Sequence, residues 1–101
     1  MTFWVYILSC SDGTYYTGHT DNLDNRIGEH QSGLGSSYTS SRHPVELAWS
    51  QECTTREEAL GAEMQIKGWS RKKKEAMMRG AWADVAQLAK KDFGKYNKRK
   101  S

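Results

Sequence analysis

The chain has a single proline, Pro44, only two cysteines, Cys10 and Cys53, and no long apolar run. A membrane-spanning helix needs about 18 consecutive apolar residues, and no stretch approaches that length, so no membrane is expected as a partner. The first residues pass directly into β-prone sequence, without a basic region followed by an apolar leader. Nothing there marks the chain for export, and the expected location is cytoplasmic. The two cysteines lack companions at metal-ligand spacing and read as reduced thiols of a cytosolic protein. No internal repeat is visible.

What is present is a small, aromatic-rich chain of 101 residues, with four Trp and five Tyr, enough for one modest core. Its organising stretch is Val5-Tyr6-Ile7-Leu8. Phe3, Val5 and Ile7 point to one face of a strand, while Trp4, Tyr6 and Leu8 point to the other. A strand that is apolar on both faces is expected in the middle of a sheet, covered on both sides. Tyr15-Tyr16-Thr17 is a second β-prone run, and Ser11-Asp12-Gly13 between the two is a turn signal. Pairing them as a hairpin brings the Tyr6 and Tyr16 rings together. Asp21-Asn22 can cap a helix carrying Leu23, Arg26, Ile27 and His30, which ends near Gly33. The Gly- and Ser-rich segment from Gly33 to Pro44 is expected as a surface loop, long enough to be functional. Val45, Leu47 and Trp49 alternate with polar or small residues, as in a half-buried third strand.

Two overlapping capping boxes, Thr54 with Glu57 and Thr55 with Glu58, start a helix expected to reach about Gly68. Ser70 can cap another through about Met78, and Gly80 breaks the pattern. Ala81 to Leu88 reads as a last amphipathic turn or two. Residues 90–101 form a polar, basic tail expected to be mobile. The resulting organisation is a domain over residues 1–80 followed by a C-terminal helical turn and tail over 81–101.

The formal net charge is +3, and much of the basic excess sits in Arg71-Lys72-Lys73-Lys74 and in Lys95 to Lys100. Such runs suit either a nucleic-acid footprint or a solvated surface.

Glu63 departs from a purely structural pattern. On a helical wheel it falls near the centre of an apolar arc formed by Ala59, Leu60, Ala62, Met64 and Ile66. A buried carboxylate is costly unless paired, hydrogen-bonded or bound to a metal. An internal ion pair and a divalent-cation site both satisfy that condition. Arg26 and His30 flank the buried stripe of the first helix, where either a snorkelling or a functional role fits. His19 ends the second strand. In so small a domain, Tyr6, Tyr16, His19, Arg26, His30 and Glu63 are expected to line one cleft. One carboxylate with waters suits Mg²⁺ when a substrate phosphate completes its shell. A guanidinium supplies bidentate donors to phosphate oxygens. A phenol or imidazole can take a proton from water if nearby cations bring its pKa toward neutrality. These parts suit metal-assisted phosphodiester hydrolysis.

Trp4-Val5-Tyr6, Tyr16-Thr17-Gly18, Arg26 and Glu63 together resemble the GIY-YIG nuclease domain, and the wider phrases around them are similar to its small stand-alone bacterial members. The resemblance runs from about Phe3 to Met78. It implies an α+β, GIY-YIG-like fold: a three-stranded antiparallel sheet flanked by helices, in the order β-β-α-β-α-α. It also implies a metal-dependent endonuclease acting on DNA, or RNA, in repair or processing, with Mg²⁺ or Mn²⁺ as cofactor. Carried over by position, the catalytic set is Tyr6, Tyr16, Arg26, His30 and Glu63, with Glu63 holding the metal. His19 and Lys67 are assigned to substrate, and His19 stands where a Lys often follows the second motif. Tyr38 and Arg42, in the Gly- and Ser-rich loop, read either as further substrate contacts or as plain loop residues. Trp-Val-Tyr replaces Gly-Ile-Tyr, and Tyr-Thr-Gly replaces Tyr-Ile-Gly, with no loss of a polar functional group. Some members use an Asn after the Glu, and neither Gln65 nor Asn97 is carried across. With no second DNA-binding domain attached, a partner protein could supply target choice. The rival expectations are an inactive nucleic-acid-binding module of the same fold, and a docking domain anchored by Trp69 and Trp82.

Overall fold

The computed structural model describes residues 2–80. Strand β1 (Phe3–Cys10) is the middle strand of a three-stranded antiparallel sheet, between β2 (Tyr15–Thr20) and β3 (Val45–Cys53). Its two apolar faces explain that position. Val5, Tyr6, Ile7 and Leu8 are all buried, as a central strand covered above and below requires. The hairpin register sets Tyr6 opposite Gly18 and Leu8 opposite Tyr16, and Gly13 closes the turn at φ +84°.

Helix α1 (Leu23–Gln31) is capped by Asn22, whose side chain accepts from the Asn25 N–H. It lies on the Tyr6 face, where Leu23 and Ile27 pack against Tyr6, Leu8, Cys10 and Val45. Within the segment expected as plain loop, Ser36 caps a short helix, α2 (Ser37–Ser40), by accepting from the Thr39 N–H. The missed signal is that cap, set in a run too rich in Ser to suggest a helix.

Helix α3 (Arg56–Lys67) starts at Thr55, which accepts from the Glu58 N–H. The Glu58 carboxylate reaches back to Thr54 rather than to the cap residue itself. This helix lies on the opposite, Val5 face of the sheet, with Arg56 over the Phe3 ring and Glu63 on His19. Its buried residues are Ala59 and Ile66. Leu60 and Met64 are exposed, so the apolar arc inferred around Glu63 is not buried as a whole.

The β1–β3 ladder shifts register between Ile7 and Leu8, which face Trp49 and Leu47 respectively. Ala48 is the extra residue of this bulge. It turns Val45 and Leu47 to the Tyr6 face and Trp49 to the Ile7 face, so the simple alternation expected for the third strand breaks there.

The chain divides into two compact units after Gly68. The first holds the sheet with α1 to α3. In the second, Ser70 caps α4 (Arg71–Met78) by accepting from the Lys73 N–H. The Lys73 ammonium stands 4.4 Å from the centre of the Trp69 ring, and Arg71 pairs with Glu75. Part of the basic run is therefore committed locally. The expected turn at 81–88, with Trp82, and the basic tail lie outside the described residues. Among the described residues no helix is long and apolar enough to cross a membrane.

Candidate active site

The site is built around the strand β2. Tyr6 and Tyr16 stand side by side on the α1 face, ring centroids 6.4 Å apart. His30 closes the group from α1, its ring 5.0 Å from that of Tyr16. Its Nε2 lies 2.9 Å from the Tyr6 hydroxyl, and its Nδ1 lies 2.8 Å from Thr39 Oγ1. Thr39 in turn meets the Ser36 hydroxyl at 3.0 Å. His30 and Thr39 are fully buried. Burial, and then the Arg26 charge, push the His30 pKa below its usual value, so the ring is neutral near pH 7. A neutral ring has one donor and one acceptor nitrogen. The coherent pattern has Nδ1–H donating to Thr39 while Nε2 accepts from Tyr6.

Burial also pushes Tyr6 up to about 12, against the lowering effect of Arg26 and with further raising from Tyr16 and Glu63. Nearby cations were expected to draw a phenol toward neutrality. At Tyr6 desolvation outweighs them, because the whole residue is 1% exposed. Tyr6 is a neutral hydrogen-bond donor, and Tyr16, only half-buried, is the more accessible phenol.

Arg26 is held at both ends of its fork. Nη1 meets Glu29 at 3.3 Å, and Nη2 donates to the Gly35 carbonyl at 3.0 Å. Burial would lower its pKa, but Tyr6 and Glu29 outweigh burial and keep it above its ordinary value. The guanidinium is a permanent cation beside both phenols.

On the other face of β2, Glu63 receives His19 Nδ1 at 2.8 Å on Oε1 and Lys67 Nζ at 3.0 Å on Oε2. Burial raises the Glu63 pKa, and these hydrogen bonds and the Lys67 charge more than reverse it, leaving a carboxylate below its ordinary value. Of the two explanations open for this acid, the ion pair is realised. Glu63 and the phenols lie on opposite faces of β2, so that strand divides the single cleft expected for these side chains.

Gly18 joins the two faces. A β-carbon there would lie 2.6 Å from the Tyr6 hydroxyl. Tyr6 therefore reaches over β2 at a residue without a side chain, and the next residue, His19, points to Glu63. Gly35 does the same for His30, whose ring fills the space a side chain would take.

The structure thus brings together Tyr6, Tyr16, Arg26 and His30 on the α1 face of β2, and His19, Glu63 and Lys67 on its α3 face. Tyr38 and Arg42 form an adjoining cluster. Tyr38 lies 5.9 Å from the Tyr16 ring, and the Arg42 guanidinium stacks 3.8 Å from the Tyr38 centroid. Arg42 also pairs with Asp12 at 2.9 Å, tying the hairpin turn to α2. Thr39, Ser36 and Gly35 were missed as site residues. Their signal was faint: hydroxyls and a glycine in a segment where such residues are ordinary.

Among the described residues no three His, Cys, Asp or Glu side chains gather into a metal-holding group. One carboxylate still fits a hard cation that keeps several waters and takes other ligands from substrate phosphate. Glu63 supplies that carboxylate, on condition that Lys67, half-exposed and flexible, gives up Oε2.

A three-stranded antiparallel sheet with two tyrosines, a fixed arginine and a helix-borne acid around its outer strand is the frame of a nuclease-type catalytic domain. The family model described as the GIY-YIG catalytic domain matches residues 2–76, and the chain belongs to that family. It is 45% identical over 73 residues to a UPF0213 protein of Halobacterium salinarum, covering 72% of this chain and 95% of that one. The solution structure of the UPF0213 protein BH0048 from Bacillus halodurans is similar at 43% identity and a TM-score of 0.52, covering 78% of this chain and 84% of that one. That of the protein EF2693 from E. faecalis gives 34% identity and a TM-score of 0.57, covering 82% and 88%. Family membership implies nucleic-acid binding and supports an endonuclease.

Proposed function

We propose that this chain is a divalent-metal-dependent endonuclease that hydrolyses DNA phosphodiester bonds during repair or processing in the cytoplasm. The observation carrying this reading is that consecutive residues of the outer strand β2 serve both groups: Gly18 receives the Tyr6 ring beside the fixed Arg26 guanidinium, and His19 holds the Glu63 carboxylate. Bound at Glu63, Mg²⁺ or Mn²⁺ would stabilise charge developing on the phosphate oxygens. Arg26 binds the scissile phosphate through the guanidinium N–H groups not committed to Glu29 and Gly35. Tyr16 presents its hydroxyl to the attacking water. Tyr6 and His30 are positioning residues: Tyr6 donates to His30 Nε2, and the pair fixes the ring stack on which Tyr16 leans. His19, tied to Glu63 through Nδ1, offers Nε2 to a phosphate, and Lys67, if released from Oε2, would reach the DNA backbone. Tyr38 and Arg42 extend the binding surface beyond Tyr16. A partner protein would supply target choice.

The test is incubation of the purified protein with nicked, branched and single-stranded DNA in Mg²⁺ or Mn²⁺. Glu63→Ala should abolish cleavage while salt-sensitive binding persists. Equal cleavage by both proteins would overturn the assignment. A second reading, a binding module with little turnover, is favoured by the double occupation of Glu63 by His19 and Lys67. It calls for binding without metal-dependent cutting in either protein.

A further inference from the structure

Leu34 is 81% exposed, yet its backbone is tightly held. Its N–H bonds the Glu29 carbonyl at 2.9 Å, and the Gly33 N–H bonds His30 at 3.1 Å, with Gly33 at φ +87°. This is the Schellman end of α1, in which the residue after the glycine usually packs its apolar side chain against the last turn of the helix. Here the positions it would cover are Glu29 and Gly28, which offer no apolar surface. Leu34 is left bare on a rigid turn. The following residue, Gly35, is pinned on both sides, its carbonyl by Arg26 and its Cα by the His30 ring. The backbone that carries a large apolar side chain is thus fixed one residue from the carbonyl that holds the Arg26 guanidinium.

Phosphate next to a flat apolar surface is the chemistry of a nucleotide, with its base beside its phosphodiester. We propose that Leu34 is a wedge that packs against the face of a base next to the scissile phosphate. It would thereby select DNA in which that base is already unstacked, at a nick, flap or unpaired end. This rests on the nuclease reading. A fully paired duplex would have to unstack a step to admit the wedge, a cost that a disrupted site is largely spared. Among the described residues Leu34 is the most exposed of the large hydrophobics.

The experiment uses full-length protein in EDTA, so that binding occurs without turnover, and DNA carrying 2-aminopurine beside a nick or flap junction. Wild type should raise the fluorescence of the probe and prefer this DNA to the intact duplex. Leu34→Ala and Leu34→Lys should lose the fluorescence rise and most of that preference, roughly tenfold. Leu34→Phe should retain both. Affinity of Leu34→Ala for intact duplex should be unchanged, because Arg26 and the basic side chains remain. An equal fluorescence rise in wild type and Leu34→Ala, or no rise in either, overturns the wedge. The same holds if no DNA is bound at low salt, or if Leu34 variants alter only association with another protein. The nuclease reading is judged separately by the Glu63→Ala cleavage comparison, so one can fail while the other stands.

Discussion

The Tyr6 hydroxyl occupies the space in which a side chain on Gly18 would begin: a β-carbon there would lie 2.6 Å from it. The second motif therefore needs its glycine for Tyr6, not for a turn, since Gly18 lies within β2. Gly18→Ala should push the Tyr6 ring off its His30 contact. A loss of about 1–3 kcal/mol is expected in chemical denaturation, the usual cost of overpacking. Cleavage should fall with it. An unchanged denaturation midpoint would show that the ring moves freely.

Tyr6→Phe tests the hydrogen bond itself. It leaves His30 Nε2 buried without a donor, at a cost of about 1–3 kcal/mol. Tyr16→Phe should cost little stability and reduce kcat at least as much as Tyr6→Phe, because Tyr16 is the more exposed phenol. Stability and kcat measured together on the two variants separate positioning from contact with the substrate.

Thr17 carries the opposite kind of change. It is buried in β2 on the α3 face, and its hydroxyl has no hydrogen-bond partner. Thr17→Val keeps the shape and removes the unsatisfied group. It should raise stability by roughly 1 kcal/mol and leave the Tyr6, Tyr16 and His30 group on the far face of the strand in place. Thermal or chemical denaturation reads this directly.

Stability should fall in acid in two steps of the same sign. Burial, followed by the Arg26 charge, lowers the His30 pKa in the native state. Below the ordinary value of 6.5 the unfolded chain therefore binds a proton that the folded one refuses, and stability declines until the native ring protonates. Glu63 is also lowered, through His19 and Lys67, so its contribution is present above the ordinary value of 4.5 and lost as pH falls through its native pKa. His30→Gln should flatten the first step, just below pH 6.5, and leave the second. Denaturation midpoints measured from pH 8 to about pH 2 check both.

Lys67 competes with any cation for Glu63 Oε2, at 3.0 Å. Lys67→Ala should lower the Mn²⁺ concentration needed for binding several-fold, read by titration calorimetry on the protein alone. If Lys67 instead assists metal capture, the concentration will rise.

Much of this was legible in the chain. The two-faced pattern from Phe3 to Leu8 required a central strand, and the turn at Asp12-Gly13 required a hairpin. Asn22, Thr55 and Ser70 each cap the helix that follows. Glu63 stood out by its place on an apolar arc, Arg26 and His30 by flanking a buried stripe, and the resemblance to the GIY-YIG domain joined them to Tyr6 and Tyr16 as one set. The local pattern could not show the bulge at Ala48, which depends on the pairing partner. Nor could it show that Leu60 and Met64 face outward, which depends on how α3 meets the sheet.

Residue identity and period 2 or 3.6 fixed which elements form and which side chains were anomalous. Tertiary structure alone decided their chemistry. The pKa of Tyr6 is set by how deeply its ring is buried, and the occupation of Glu63 by a histidine 44 residues away in sequence. Both are sums over neighbours that the chain brings together only when it folds.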